Sequence, residues 1–294
     1  MKTYSGTASA KLNLYLGIHG LREDGYHELE TVFQSIDLRD LVSISVHQKG
    51  GISLRCNKPY LPTDERNLAY QAAQAFFQTA GMENPGLHIN IKKIIPVGAG
   101  MAGGSTDAAC VLRLLNRAFD CPLTGDQLAE VALKLGADVP FCLWGGTALA
   151  GGVGEKLRSL NPMPNCFIVV AKPHFSVSTK AAFGLYDLNP ILCPPSTAVV
   201  EALETGDLEA LAKGMTNSLE APVVEKYPRI AQLVSKLEHA GALGARMTGS
   251  GSAVFGIFDQ QSEAQKAASS LRSLCREVFI THPQGGRCPG DWEG

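Results

Sequence analysis

Four glycines fall within positions 98 to 104 of Pro96-Val97-Gly98-Ala99-Gly100-Met101-Ala102-Gly103-Gly104-Ser105-Thr106-Asp107-Ala108-Ala109, between a strand-like and a helix-like stretch. Backbone without Cβ atoms can turn its N–H groups inward and approach a ligand closely. A helix starting at Ser105 would aim its free N–H groups and positive dipole end at the same point. Ser105 and Thr106 add hydroxyls, so the run has the composition of a phosphate cradle. A second glycine element, Thr248-Gly249-Ser250-Gly251-Ser252, stands directly before another strand-like run. Alone it fits a hairpin or a bulge; beside the first loop it suggests a second backbone wall around the same phosphates.

Gly98, Gly100 and Gly103 also satisfy the G-x-G-x-x-G spacing of dinucleotide-binding units. Such a unit needs a second strand after the helix, with an acidic residue at its end. Here the helix-like run to Phe119 is followed by Thr124-Gly125-Asp126-Gln127, a capping-box start for another helix. An oxidoreductase built on this spacing is therefore disfavoured. No Lys-Ser or Lys-Thr pair follows the glycines, so the P-loop pattern fails too. A nucleoside triphosphate in a different frame remains.

Phosphoryl transfer also needs a group that orients or deprotonates an acceptor hydroxyl. Asp138, at a helix end in the apolar run Leu135-Gly136-Ala137-Asp138-Val139-Pro140-Phe141, is the leading carboxylate; the alternative is an aspartate bonded to nearby backbone. Lys11 is the natural cation, on the polar face of an otherwise apolar strand where a solvated lysine is the alternative. A lysine beside an aspartate would hold the carboxylate ionised and ease formation of an alkoxide. No acidic metal ligand stands out, so Mg²⁺ is expected to rest mostly on nucleotide oxygens and waters, with Ser105 or Thr106 nearby.

These groups must be positioned by elements visible in the pattern. Leu12, Leu14, Leu16 and Ile18 alternate with Lys11, Asn13, Tyr15 and Gly17, predicting a strand over 8–19. Further strands are expected over 29–38 and 41–47, after a turn at Asp24-Gly25. Asn67 caps a predicted helix over 67–80, and a strand over 88–94 feeds the glycine loop. Pro140 is expected to block helix continuation before a strand over 142–150. The second half reads as a strand over 167–171, a helix through Ile230, Leu233, Val234 and Leu237, a strand over 252–258, a helix over 262–275 and a strand over 278–281. Strands and helices mix without a parallel-sheet rhythm, which favours α+β. The boundary between two domains, 1–160 and 161–283, falls near the Gly- and Pro-rich stretch at 151–165, and the tail 284–294 is expected to be unstructured.

The net charge of −2 over 294 residues offers no basic field for nucleic acid, and no stretch reads as a signal peptide or membrane span. A cytoplasmic protein follows. The 8 cysteines lack metal spacing and several lie in apolar runs, so buried thiols are expected.

The order Ala10-Lys11-Leu12-Asn13-Leu14, then Pro96 to Ala109, then Thr248-Gly249-Ser250-Gly251 resembles the three-motif pattern of the GHMP kinase superfamily, from about Ser9 to Phe258. Arg22-x-Asp24-Gly25-Tyr26-His27-x-Leu29-x-Thr31, Leu135 to Phe141 and Gly152-Val153-Gly154-Glu155 are similar to the branch acting on 4-diphosphocytidyl-2-C-methyl-D-erythritol. The resemblance implies a two-domain fold with its site in the cleft, and direct in-line transfer from ATP to the 2-hydroxyl of that cytidine diphosphate methylerythritol, in a monomer or homodimer. It implies Lys11 and Asp138 about the acceptor hydroxyl and residues 96 to 106 around the ATP phosphates, with Gly249 and Gly251 behind them. Asn67 and Leu68 would line the adenine pocket. Tyr26 and Phe183 would stack on cytosine, His27 would bond its edge, and Asn13 and Thr179 would touch substrate. A GHMP kinase for homoserine or mevalonate is the nearest alternative; a non-catalytic nucleotide sensor is another. In that superfamily the loop more often reads Gly-Leu-Gly-Gly-Gly-Ser; with Ala102 in place of a glycine, phosphate binding is expected to survive if its φ stays negative.

Overall fold

The computed structural model describes residues 2–47, 50–191 and 193–286. Alternating apolar residues draw the N-terminus into two long antiparallel strands, β1 (Lys2–Leu21) and β2 (His27–Val46), joined at the expected turn with Gly25 at φ +82°. The two strands expected over 29–38 and 41–47 are one. β2 runs unbroken because its first half pairs with β5 (Thr147–Gly151) and its second half with β4 (Leu87–Lys92). A short strand not anticipated, β3 (Ile52–Cys56), lies parallel to β4, with helix α1 (Leu68–Thr79) as the crossover.

Helices α2 (Gly103–Ala118), α3 (Gly125–Leu135) and α4 (Val139–Trp144) pack on this sheet, and β6 (Lys156–Ser159) extends it beyond β5. Thr124 and Gln127 form the capping box, each bonding the other's backbone N–H at 3.3 and 2.9 Å. The strand expected over 142–150 is corrected: residues to Trp144 are helical and β5 starts at Thr147. Pro140 does not stop a helix but sits in the first turn of a new one, where a missing N–H costs nothing.

The second half contains β7 (Phe167–Lys172), α5 (Thr179–Leu188), α6 (Thr197–Thr205), α7 (Leu208–Gly214), β8 (Thr216–Asn217), α8 (Glu220–Lys226), α9 (Arg229–His239), β9 (Gly244–Met247), β10 (Val254–Phe258), α10 (Gln261–Leu271) and β11 (Glu277–Thr281). Its antiparallel sheet runs β11-β7-β10-β9. The first sheet runs β3-β4-β2-β1-β8, with β5 and β6 branching from β2, so the second half lends β8 to it beside Tyr15 and Leu16. One core lies between the first sheet and α1–α4, one between the two sheets under α6 and α7, and one where α5, α8, α9 and α10 cover the second sheet. The architecture is α+β. No helix among the described residues is long and apolar enough to cross a membrane.

Residues 284–286 depart from the unstructured tail expected over 284–294. Pro283 bridges Ile36, Gly286 bridges Gly145, and Gln284 N–H donates to Ser35 carbonyl at 2.8 Å. The rest of that tail lies outside the described residues.

Candidate active site

β1 does not have the solvated polar face its alternation suggests. Lys11, Asn13 and Tyr15 are all buried, because α2 and the second half of the chain cover both faces. Register shifts against β2 at Ser9/Lys11 and Asn13/Tyr15 re-aim these side chains, as bulges do. Lys11 is 5% exposed and its Nζ donates to Asn13 Oδ1 at 2.7 Å, 5.0 Å above the Phe33 ring centre. Asn13 Nδ2 donates to Thr31 Oγ1 at 2.9 Å, and Thr31 donates to Tyr15 carbonyl at 2.6 Å. The chain of bonds holds the ammonium by one of its three hydrogens, within reach of a carboxylate. That carboxylate is Asp138, N-terminal to α4 and 37% exposed, its Oδ1 3.9 Å from Lys11 Nζ.

The glycine loop closes over this pair. Gly98 and Gly100 are left-handed, at φ +63° and +75°. A Cβ on Gly100 would stand 2.2 Å from Thr248 carbonyl, and one on Gly249 would stand 2.8 Å from Gly100 carbonyl. The two glycine elements therefore meet backbone to backbone. Lys11 N–H donates to Met101 carbonyl at 3.3 Å and Asn13 N–H to Thr248 Oγ1 at 3.1 Å, tying both elements to β1. Helix α2 starts at Gly103, two residues before the expected Ser105. Ala102 is left-handed at φ +56°, so the condition of a negative φ is not met, because the chain turns sharply between loop and helix.

A cavity of about 1070 Å³ joins these groups. Lys11, Asn13 and Asp138 line it, as do all residues from Pro96 to Ser105, together with Gly249. Two expectations are corrected. Thr106 is buried and its hydroxyl donates to Ser9 carbonyl at 2.7 Å, so among the pair expected near a metal only Ser105 faces the cavity. Gly251 lies behind the second glycine element, where a Cβ would meet Met247 Sδ at 2.7 Å, and it does not reach the cavity.

Asn67 and Leu68 line one end of the cavity at the start of α1. Both ends of the Asn67 amide are engaged: Oδ1 accepts from Ala69 N–H at 2.9 Å and Nδ2 donates to Pro62 carbonyl at 2.8 Å. At the other end lie Tyr26, His27, Phe183 and Thr179. Tyr26 is 65% exposed on the hairpin. His27 packs on Phe183 with ring centres 4.8 Å apart, and Thr179 Oγ1 is 3.4 Å from Ser250 Oγ.

A buried ionic cluster beneath the loop escaped the sequence reading. Lys93 Nζ bonds Asp40, Asp107 Oδ2 at 2.7 Å and Gly103 carbonyl at 2.9 Å, while Asp40 Oδ1 accepts from Ile94 and Ile95 N–H. It pins both ends of the glycine loop. Burial pushes the Asp107 carboxyl up to about 8, against the pull of Lys93 and with help from Asp40. The available signal was a lysine ending a strand just before the glycines, followed by an aspartate in the first turns of the next helix. Asp187, bonded to His27 at 2.7 Å, was also missed, although it follows Phe183 by one helical turn.

The GHMP kinases N terminal domain family matches residues 67–146 and the GHMP kinases C terminal family matches residues 199–277. The chain is 45% identical over 275 residues to a 4-diphosphocytidyl-2-C-methyl-D-erythritol kinase of Clostridium botulinum (strain Alaska E43 / Type E3), covering 93% of this chain and 98% of that one. A crystal structure of 4-(cytidine 5'-diphospho)-2C-methyl-D-erythritol kinase superposes with TM-score 0.83 at 36% identity, over 96% of this chain and 100% of that one. Homoserine kinase from Cytophaga hutchinsonii ATCC 33406 shares the fold, with TM-score 0.78 at 19% identity over 98% and 96% of the two chains.

Proposed function

The chain belongs to the GHMP kinases, in the family of the 4-diphosphocytidyl-2-C-methyl-D-erythritol kinases, and from that premise we propose that it transfers the γ-phosphoryl group of ATP to the 2-hydroxyl of 4-diphosphocytidyl-2-C-methyl-D-erythritol. The observation that carries the reading is the Lys11–Asp138 pair on the same cavity as the glycine loop and the Tyr26-His27 hairpin.

The cavity fits a triphosphate. Backbone free of Cβ atoms at Gly98, Gly100, Gly103 and Gly104, with the N-terminus of α2 behind it, offers N–H groups and a positive dipole end to anionic oxygens. Asp138 takes the proton of the acceptor hydroxyl, and Lys11 stabilises the negative charge that builds on that oxygen. Asn13 holds Lys11 in place and touches the acceptor. ATP supplies the phosphoryl group and Mg²⁺ supplies charge neutralisation; Ser105 Oγ is the protein group that would hold the metal, beside nucleotide oxygens and waters. Leu68 contacts adenine, while Asn67 shapes that end through its cap. Tyr26 and Phe183 stack on cytosine and His27 reads its edge, a sequence-neutral grip combined with a polar one. Thr179 and Gly249 complete the wall.

The domain boundary is placed near residue 160, where the chain passes from β6 to β7. The enzyme works in the cytoplasm as a monomer or homodimer. Incubation with ATP, Mg²⁺ and the cytidine substrate, followed by ³¹P and ¹³C NMR of the product, tests the reading. A new phosphomonoester coupled to the 2-carbon is expected; phosphorylation of homoserine or mevalonate, with the cytidine substrate untouched, overturns it.

A further inference from the structure

We propose that Asp187, a residue with no role so far, sets the ring tautomer of His27 and thereby makes the acceptor end of the cavity prefer cytosine to uracil. The proposal rests on the cytidine reading given above. His27 belongs to the hairpin of the first half, yet the groups that hold its ring all come from one helix of the second half. Phe183, Tyr186 and Asp187 stand at i, i+3 and i+4 on α5 and so share a face. Phe183 covers the His27 ring at 4.8 Å with planes 31° apart, Tyr186 meets it edge-on at 6.1 Å, and Asp187 Oδ1 lies 2.7 Å from Nε2. The imidazole side chain is 13% exposed, whereas Asp187 is 54% exposed. Plane and rotation of the ring are thus fixed by α5, and His27, Phe183 and Asp187 all line the cavity.

A carboxylate only accepts hydrogen bonds, so the nitrogen facing it carries the hydrogen. In the neutral ring the other nitrogen, Nδ1, is then a lone-pair acceptor. Cytosine presents an exocyclic amine, a donor, where uracil presents a carbonyl oxygen. An Nδ1 acceptor bonds the first and sets lone pair against lone pair with the second. Asp187 touches neither base nor phosphate in this scheme; it is a positioning residue acting through His27.

The test compares kcat/KM for the cytidine substrate and for its uridine counterpart in the wild type, Asp187→Asn, Asp187→Ala and Asp187→Glu. Asparagine can turn either end of its amide to Nε2, so it locks neither tautomer. The wild type is expected to favour cytidine, and the ratio is expected to fall about tenfold or more in the Asn and Ala variants, the loss of one directed hydrogen bond. The fall should come through KM for the cytidine substrate with kcat nearly unchanged, and Asp187→Glu should recover part of it. The ¹⁵N shifts of the His27 ring should show hydrogen on Nε2 and none on Nδ1 in the wild type, and a mixture in Asp187→Asn. An unchanged ratio in both Asn and Ala variants, or a wild-type ring with its hydrogen on Nδ1, overturns the proposal and leaves the kinase reading intact. A wild type that phosphorylates neither nucleotide removes the cytidine reading, and the proposal with it.

Discussion

Lys11 Nζ lies 3.9 Å from Asp138 Oδ1, one on a buried bulge of the first strand and the other before the fourth helix. The separation is that of two groups with room to grip a hydroxyl between them rather than a closed salt bridge. Replacing Lys11 by Met removes the charge while keeping most of the stem. A kcat lower by about 10²–10³ is expected, the cost of one preorganised electrostatic partner, with KM for ATP changed far less. Steady-state kinetics over both substrates check it.

Gly100 carries the closest contact between the two glycine elements. Gly100→Ala would press a methyl 2.2 Å from Thr248 carbonyl at a backbone φ of +75°. The loops must separate. A loss of about 1–3 kcal/mol in stability is expected, with a clear rise in KM for ATP, measured by urea unfolding and by nucleotide titration.

Ala102 is the converse case. Its left-handed backbone strains an L-residue by roughly 1–2 kcal/mol, while a glycine there gives back about 0.4–1 kcal/mol to the unfolded chain. Ala102→Gly should therefore stabilise the protein by about 0.5–1 kcal/mol, the difference of the two. A higher urea midpoint at unchanged kcat/KM is the expected result.

The cluster beneath the loop predicts two effects. Lys93→Met leaves the buried Asp40 carboxylate without its ammonium and takes a hydrogen-bond donor from Asp107, and a loss of about 3–5 kcal/mol is expected. Asp107 supplies a pH dependence. Its folded-state carboxyl is pushed up to about 8 and returns to an ordinary aspartate value, near ~4, on unfolding. Between those values the folded state holds more proton, so this group's contribution to stability falls as pH rises. Asp107→Asn should gain on the wild type steadily from pH 5 to pH 8 in urea unfolding; parallel curves would contradict the assignment.

Local rules carried much of this into the sequence. The Thr124–Gln127 capping box, the Asn67 cap and the buried stripe Ile230, Leu233, Val234 and Leu237 each depend on neighbours within one or two turns, and each is present. The glycine loop was legible because only glycine suits Gly98 and Gly100. What escaped depends on elements far apart in the chain. Lys11 reads as the site's cation, but its burial, which sets aside the solvated alternative, comes only from the covering elements. Thr106 reads as a cavity hydroxyl until Ser9 carbonyl takes its hydrogen. Asp40, Lys93 and Asp107 are unremarkable alone and meet only in the fold. Cys142 to Trp144 are apolar enough for a strand, but Pro140 two residues earlier starts a helix turn that carries them.

The most direct test is substrate-dependent ADP release with ATP, Mg²⁺ and 4-diphosphocytidyl-2-C-methyl-D-erythritol, run for the wild type beside Asp138→Asn. Expected is robust turnover in the wild type and a kcat about 10²–10⁴ lower in the variant, the loss of a general base, at a similar urea midpoint. Turnover in Asp138→Asn equal to wild type would contradict the role given to the Lys11–Asp138 pair.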